Sequence, residues 1–158
     1  MGFEDALKKT LKKEKIRKSE PDKVDIRLTR LLVQSLEWIS VGYSSALYFA
    51  GKKLGKEIIS KEVKGNDIKS LIKFITEFFH GIGIGKIEVV EQSDKRIILH
   101  LKECSTCYHM SEVGKPVCFF ESGLIAGILE SKLNKVLVNE TLCGGLGDEI
   151  DEFQIKVG

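Results

Sequence analysis

Apolar residues recur at helical spacing from Leu28 onward: Leu28, Leu32, Leu36, Ile39, Tyr43, Leu47, Ala50, Leu54 and Ile58. This period predicts one long helix over residues 26–60. Leu31, Trp38, Val41, Tyr48 and Phe49 widen its apolar face. A face that broad needs cover on more than one side, from a helix and a sheet or from a partner subunit. Gly51 and Gly55 stand four apart on it and offer a flat spot for another backbone. Glycine also weakens a helix by about 1 kcal/mol, so a break near Gly51 is compatible with the pattern.

A second amphipathic helix follows over residues 67–80, with Asn66 as its cap and Leu71, Ile72, Phe74, Ile75, Phe78 and Phe79 apolar. The pattern then changes to alternation. Residues 86–91 and 96–103 flank Gln92-Ser93-Asp94-Lys95 and predict a hairpin. Pro116 opens a third helix over residues 117–133, where its missing N–H costs nothing. Gly123 and Gly127 again lie four apart. Two more strands, 135–141 and 150–157, enclose a Gly-rich loop. The order is helix, helix, strand, strand, helix, strand, strand. It predicts an α+β fold: a four-stranded antiparallel sheet covered by helices.

Before residue 26 the chain is basic. Lys8, Lys9, Lys12, Lys13, Lys15, Arg17 and Lys18 are interrupted by one acid, Glu14. Phe3, Ala6, Leu7, Leu11 and Ile16 give a rough helical stripe. Residues 1–25 read as an arm, either a solvated helix or a basic amphipathic one, and residues 26–158 as one domain. Pro21 breaks the two, and Asp22 or Asp25 is placed to cap the helix that follows. No aromatic residue interleaves the lysines and the formal net charge is only +2, so nucleic acid is not an expected partner. No run reaches the ~20 apolar residues of a membrane span. No signal-peptide pattern opens the chain, so a cytoplasmic location is expected. There, four cysteines are thiols or metal ligands rather than disulfides.

The candidate chemistry sits in the last third. Cys104 and Cys107 form a C-x-x-C where a strand gives way to a loop, half of a zinc-site spacing. Cys118 falls in the first turn of the third helix, where the helix dipole favours a thiolate. Cys143 opens the Gly-rich loop. Cys104, Cys107, Cys118 and Cys143 would satisfy a tetrahedral zinc with no open position, which makes the ion structural. A second set competes: Glu140 and Cys143 from one strand end, Asp151 from the returning strand, and Cys118. The plain alternative is four buried, reduced cysteines acting as small apolar residues. His109 follows the C-x-x-C by two residues, and His100 lies on the strand face opposite Ile97, Leu99 and Leu101. No acid/base or nucleophile set follows from spacing. The GIGIG stretch at residues 81–85 follows a helix and precedes a strand, the reverse of a dinucleotide or P-loop site.

The run PVCFFESGLIAGILESKLNKVLVNETLCGGLGDEIDEFQI resembles the 4-vinyl reductase domain family. Cys118, Gly123, Gly127, Glu140, Cys143, Gly147, Asp148 and Phe153 match its pattern, and Asp151 replaces its last cysteine. ECSTC and YFAGKKLGKEI carry the likeness upstream. The likeness is greatest to archaeal hydrocarbon-binding proteins. It implies a fold shared with nitric-oxide sensors and TRAPP vesicle-tethering subunits. It also implies a homodimer and an apolar pocket for a small hydrophobic or aromatic ligand. Zinc is implied at the positions of Cys118, Glu140, Cys143 and Asp151. Trp38, Tyr43, Tyr48, Phe74, Phe78 and Tyr108 are candidate pocket residues between the sheet and the first two helices. The resemblance leaves two further functions open: reduction of a tetrapyrrole vinyl group, and protein assembly. No hydride-cofactor motif and no haem-ligand histidine motif accompanies it.

Overall fold

A computed structural model describes residues 3–11, 19 and 23–158 of the 158-residue chain. Helix α1 spans Phe3–Leu11. Lys12, Lys13, Glu14, Lys15, Ile16, Arg17, Lys18, Pro21 and Asp22, on which the reading of the arm partly rests, lie outside the described residues.

The long predicted helix is two. Helix α2 spans Ile26–Ser35 and α3 spans Tyr43–Glu57, with a 3₁₀ turn at Leu36–Trp38 between them. The break falls at Ser40-Val41-Gly42, where the Gly42 N–H donates to Ser40 Oγ at 3.1 Å. The apolar period resumes in phase after this turn, so the pattern alone hides it. Asp25 caps α2 by accepting from the Arg27 N–H at 2.9 Å. The Arg27 guanidinium and this N–H hold the Asp25 carboxyl at about 2. α4 spans Ile68–Gly81, and its cap is Asp67 rather than Asn66. Asp67 has the extended backbone that lets Oδ1 accept from the Ser70 N–H at 3.0 Å.

β1 (Lys86–Gln92), β2 (Arg96–Lys102), β3 (Val136–Leu142) and β4 (Asp151–Val157) form one antiparallel sheet in the order β1-β2-β4-β3. Two hairpins therefore meet along β2 and β4. Ile97, Leu99, Leu101, Phe153 and Ile155 face the core, all fully buried. On the other face His100 pairs with Glu152 at 2.9 Å, and Gln154 and Thr141 also hold that carboxylate. This polar network faces water and draws His100 away from the core.

Helix α5 (Phe119–Glu130) runs between the sheet and α3, and residues Glu121–Leu129 are all buried. The two glycine pairs explain how it fits. A Cβ at Gly55 would stand 2.7 Å from the Leu124 carbonyl oxygen, and one at Gly51 would press on that of Phe120. In return, Gly123 and Gly127 lie against the backbone of Tyr48 and Lys52. Each helix offers its bare backbone to the other, with no side chain between them. Lys52 and Glu130 close the crossing with an ion pair at 2.9 Å. α3 is thus covered by α5, whereas α2 buries no residue.

Candidate metal centre

The sheet delivers carboxylates and thiols to one end of its buried face. Asp151 is the first residue of β4 and pairs with Leu101, on the same face as Phe153 and Ile155. Glu140 and Cys143 are three apart, an odd spacing that puts two side chains on opposite faces of a regular strand. A bulge resolves this. Glu140 pairs with Phe153 and Leu142 with Glu152, so Thr141 is an extra residue. That residue reverses the alternation, and Cys143 reaches the core side with Glu140.

Cys143 then opens a 3₁₀ turn at Gly144–Leu146, and its Sγ accepts from the Gly145 N–H at 3.4 Å. Asp148 Oδ2 fixes the turn by accepting from the Cys143 N–H at 2.9 Å. Gly144 lies directly on the Cys107 carbonyl, so a side chain there would push the two turns apart. The C-x-x-C turn starts after Glu103, whose φ of 53° bends the chain away from β2. Cys118 is the N-cap of α5 rather than a first-turn residue.

All four thiols are buried and free. Cys118 Sγ lies 3.5 Å from Cys104 Sγ and 3.3 Å from Cys107 Sγ. Asp151 reaches Cys107 Sγ with Oδ1 at 2.9 Å and Cys118 Sγ with Oδ2 at 3.6 Å. The Gly144 N–H also donates to Oδ1 at 3.2 Å. Glu140 Oε2 accepts from the Cys118 N–H at 3.2 Å. Glu140 Oε1 is buried with no partner, unlike any other side-chain N or O among the described residues.

In each of two groups the donor atoms all lie within 4.8 Å of one another. One is Cys104, Cys107, Cys118 and Asp151; the other is Cys118, Glu140, Cys143 and Asp151. The second is the alternative set read from the sequence. The four-cysteine set is not a group, because Cys143 arrives on the β3–β4 turn and joins Glu140 rather than Cys104. Asp151 stands in both groups. Zinc–sulfur bonds of about 2.3 Å imply tetrahedral sulfur–sulfur edges of about 3.8 Å. The observed separations fall a few tenths of an ångström short, so small shifts would fit an ion.

The electrostatics also suit a cation. Burial pushes Asp151 up to about 9 and Glu140 up to about 10, with the neighbouring thiolates adding to both. Within the sulfur cluster, donation from Cys107 lowers Cys104 and Cys143, while Cys107 and Cys118 are raised as the donors. Without a cation the cluster keeps protons; a divalent ion replaces them.

Two neighbours carried no signal in the sequence. Arg30 of α2 donates from Nε to the Ser105 carbonyl at 2.9 Å and from Nη2 to that of Cys104 at 3.4 Å. It pins the C-x-x-C turn from 74 residues away. Glu121 is fully buried in α5 and accepts from Thr106 Oγ1 at 2.5 Å. Burial, and then the charge of Cys104, raise its carboxyl to about 8. The unfolded chain therefore ionises Glu121 near its ordinary 4.5, while the folded protein holds the proton. Stability is full below that lower value and falls as pH rises towards 8, at up to roughly 1.4 kcal/mol per pH unit. Glu121→Gln keeps the acceptor for Thr106 and is expected to flatten this decline. Melting zinc-loaded wild type and variant from pH 5 to 8 checks it. Parallel curves would show that Glu121 holds no proton.

The predicted pocket residues occupy separate grooves. Trp38 and Tyr43 line one of about 530 Å³ with Leu31, Leu32, Met110 and Val117. Phe74 and Phe78, stacked at 5.9 Å, line a second. Tyr108 lines a third, beside His109 and Asp148. Tyr48 stands edge-on to Phe49. The fold scatters them because α5, not α2 or α3, lies on the sheet.

Residues 97–157 match the 4-vinyl reductase domain. Two uncharacterised proteins of Methanocaldococcus jannaschii are similar along most of the chain. One is 41% identical over 117 residues, covering 73% of this chain and 66% of its own length. The other is 30% identical over 137 residues, covering 85% and 78%. The chain belongs to the 4-vinyl reductase domain family. Its fold recurs among solved structures. A vinyl-4-reductase family protein from M. jannaschii superposes with a TM-score of 0.58 at 21% identity, covering 88% of this chain and 85% of its own. The phenol-responsive sensory domain of the transcription activator PoxR, solved with phenol, gives 0.66 at 12%, covering 85% and 75%. A trafficking protein particle complex subunit 3 from Naegleria fowleri, covalently bound to palmitic acid, gives 0.65 at 19%, covering 84% and 92%. At these identities the likeness is one of fold, and two of the three structures carry a small ligand. No helix among the described residues is long and apolar enough to cross a membrane.

Proposed function

We propose that residues 26–158 form a cytoplasmic ligand-binding domain of the 4-vinyl reductase type, which takes a small hydrophobic or aromatic molecule and is held in shape by structural zinc. The groove between α2 and residues 108–117 is the ligand seat. One observation carries this reading: its wall includes Met110 and Val117, from the loop that joins Cys107 to Cys118. The ion fixes both ends of that loop, and the ligand would rest on its middle. The fold's occurrence with phenol and with palmitic acid supports an apolar ligand of that size.

The residues fit zinc. Cys118 and Asp151 belong to either donor group, and buried Glu140 Oε1 lacks a partner that an ion would supply. Zinc in this setting contributes a cross-link and charge neutralisation. The protein supplies full coordination from its own side chains, which suits a structural role. The homodimer implied by the family would cover Ile39 and Val41, which are 79% and 101% exposed. Val41→Lys is then expected to yield a monomer by light scattering.

Trp38 is the single tryptophan and stands 90% exposed on the groove rim. Phenol and palmitate are the probes. A saturable blue shift of Trp38 fluorescence, lost in Leu32→Glu, is expected with at least one. No saturable shift with either, together with zinc-free protein by elemental analysis, would refute the reading.

A further inference from the structure

The two donor groups look like competitors for one ion, yet they overlap in a way that lets both be filled. The geometry points to a binuclear centre, with one zinc-class ion in each group and Cys118 Sγ and the Asp151 carboxylate bridging them. This rests on the proposal that the cluster holds zinc at all.

The six donors divide evenly. Cys104 and Cys107 belong to the first group alone, and Glu140 and Cys143 to the second alone. Only Cys118 and Asp151 stand in both. Those two are chemically the right ones to share. A thiolate sulfur bridges two soft ions through separate lone pairs, and a carboxylate bridges through its two oxygens. The Asp151 oxygens already face different partners: Oδ1 lies 2.9 Å from Cys107 Sγ, and Oδ2 lies 3.6 Å from Cys118 Sγ. Cys118 Sγ sits 3.5 and 3.3 Å from the first group's other sulfurs. From the opposite group, Glu140 binds the same residue's N–H at 3.2 Å.

Charge points the same way. Six ionised donors carry six negative charges in a buried site. One divalent ion either leaves four of them uncompensated, which is costly in a buried site, or leaves the donors it does not bind protonated and unused. Two ions leave two, the balance of an ordinary four-thiolate zinc site. A single ion in the first group would also leave Glu140 Oε1 still buried without a partner. A single ion in the second would leave the Cys104 and Cys107 thiols turned inward with no ion, holding only hydrogen bonds to Cys118 and Asp151.

The test is a titration of the metal-free full chain with zinc, read by a chromogenic competitor, and with cobalt, read by absorption and electron paramagnetic resonance. Wild type is expected to saturate at two zinc per chain. Cys104→Ser with Cys107→Ser is expected to saturate at one, as is Glu140→Gln with Cys143→Ser. The cobalt measurement needs no variant. A shared sulfur couples the two ions, so the resonance intensity at two equivalents is expected to fall below twice that at one. Saturation at one ion per chain would overturn the binuclear centre and leave structural zinc standing. So would two ions whose resonance intensities simply add. Saturation at none would remove both.

Discussion

Cys118→Ala is expected to leave the protein without bound zinc and to lower its melting temperature by roughly 8–16 °C. The size follows from linkage. An ion that binds only the folded state at about a thousand times its dissociation constant stabilises it by about 4 kcal/mol. For a chain of this length each kcal/mol moves the midpoint by about 2–4 °C. Cys118 is the decisive position because its sulfur belongs to both donor groups. Losing Cys143 alone would leave the other group complete. The change itself removes little volume from the core, so most of the drop belongs to the metal. A chelator separates the two contributions. Wild type should fall by nearly the full amount when chelated, and Cys118→Ala should melt at the same temperature with or without chelator. A variant that retains its zinc, or a wild type indifferent to the chelator, would exclude this account.

The second large effect lies away from the cluster. Gly127→Val is expected to destabilise the protein by about 3 kcal/mol or more, at or above the upper end for overpacked cores. A side chain there collides with the Lys52 carbonyl of α3, and Gly123 answers with a clash against Tyr48 if the helices slide to relieve it. Backbone cannot rotate away as a side-chain tip can. Gly81 provides the contrast. It ends α4 with no atom within 4 Å of the place an alanine Cβ would take, so Gly81→Ala should raise stability by about 0.4–1 kcal/mol. Chemical denaturation of the three proteins side by side decides it. A Gly127→Val protein as stable as wild type would mean that the helices do not cross this closely.

Much of the architecture could be read from periodicity. The strands and α4 and α5 emerge within a few residues because each buries one face, or all of itself, against the sheet. The break between α2 and α3 does not, since apolar spacing continues through Ser40-Val41-Gly42. Both glycine pairs were visible as flat surfaces, but nothing local says that they meet each other. The donors were legible by residue type. Their grouping was not: it depends on where Cys143 lands after a bulge and on Asp151 entering the core at a strand end. Arg30 and Glu121 gave no signal, because one acts on main-chain carbonyls far along the chain and the other is an acid in an otherwise apolar helix. The candidate pocket residues divide among separate grooves for a related reason. A shared face would need α2 and α3 on the sheet beside α4, and α5 takes that place.

Thr141 binds nothing within the centre, yet the bulge that absorbs it is what lets Glu140 and Cys143, three apart, share a face. Its side chain is exposed, and its effect is only to count as one residue more than β4 requires. Deleting its single codon would place Glu140 and Cys143 two apart, so regular alternation would keep both on the core side and leave every hydrophobic position of β3 in place. In an evolving lineage, then, this strand can gain or lose one in-frame triplet together with its bulge and keep both donors: the centre dictates which face they take, not how many residues separate them.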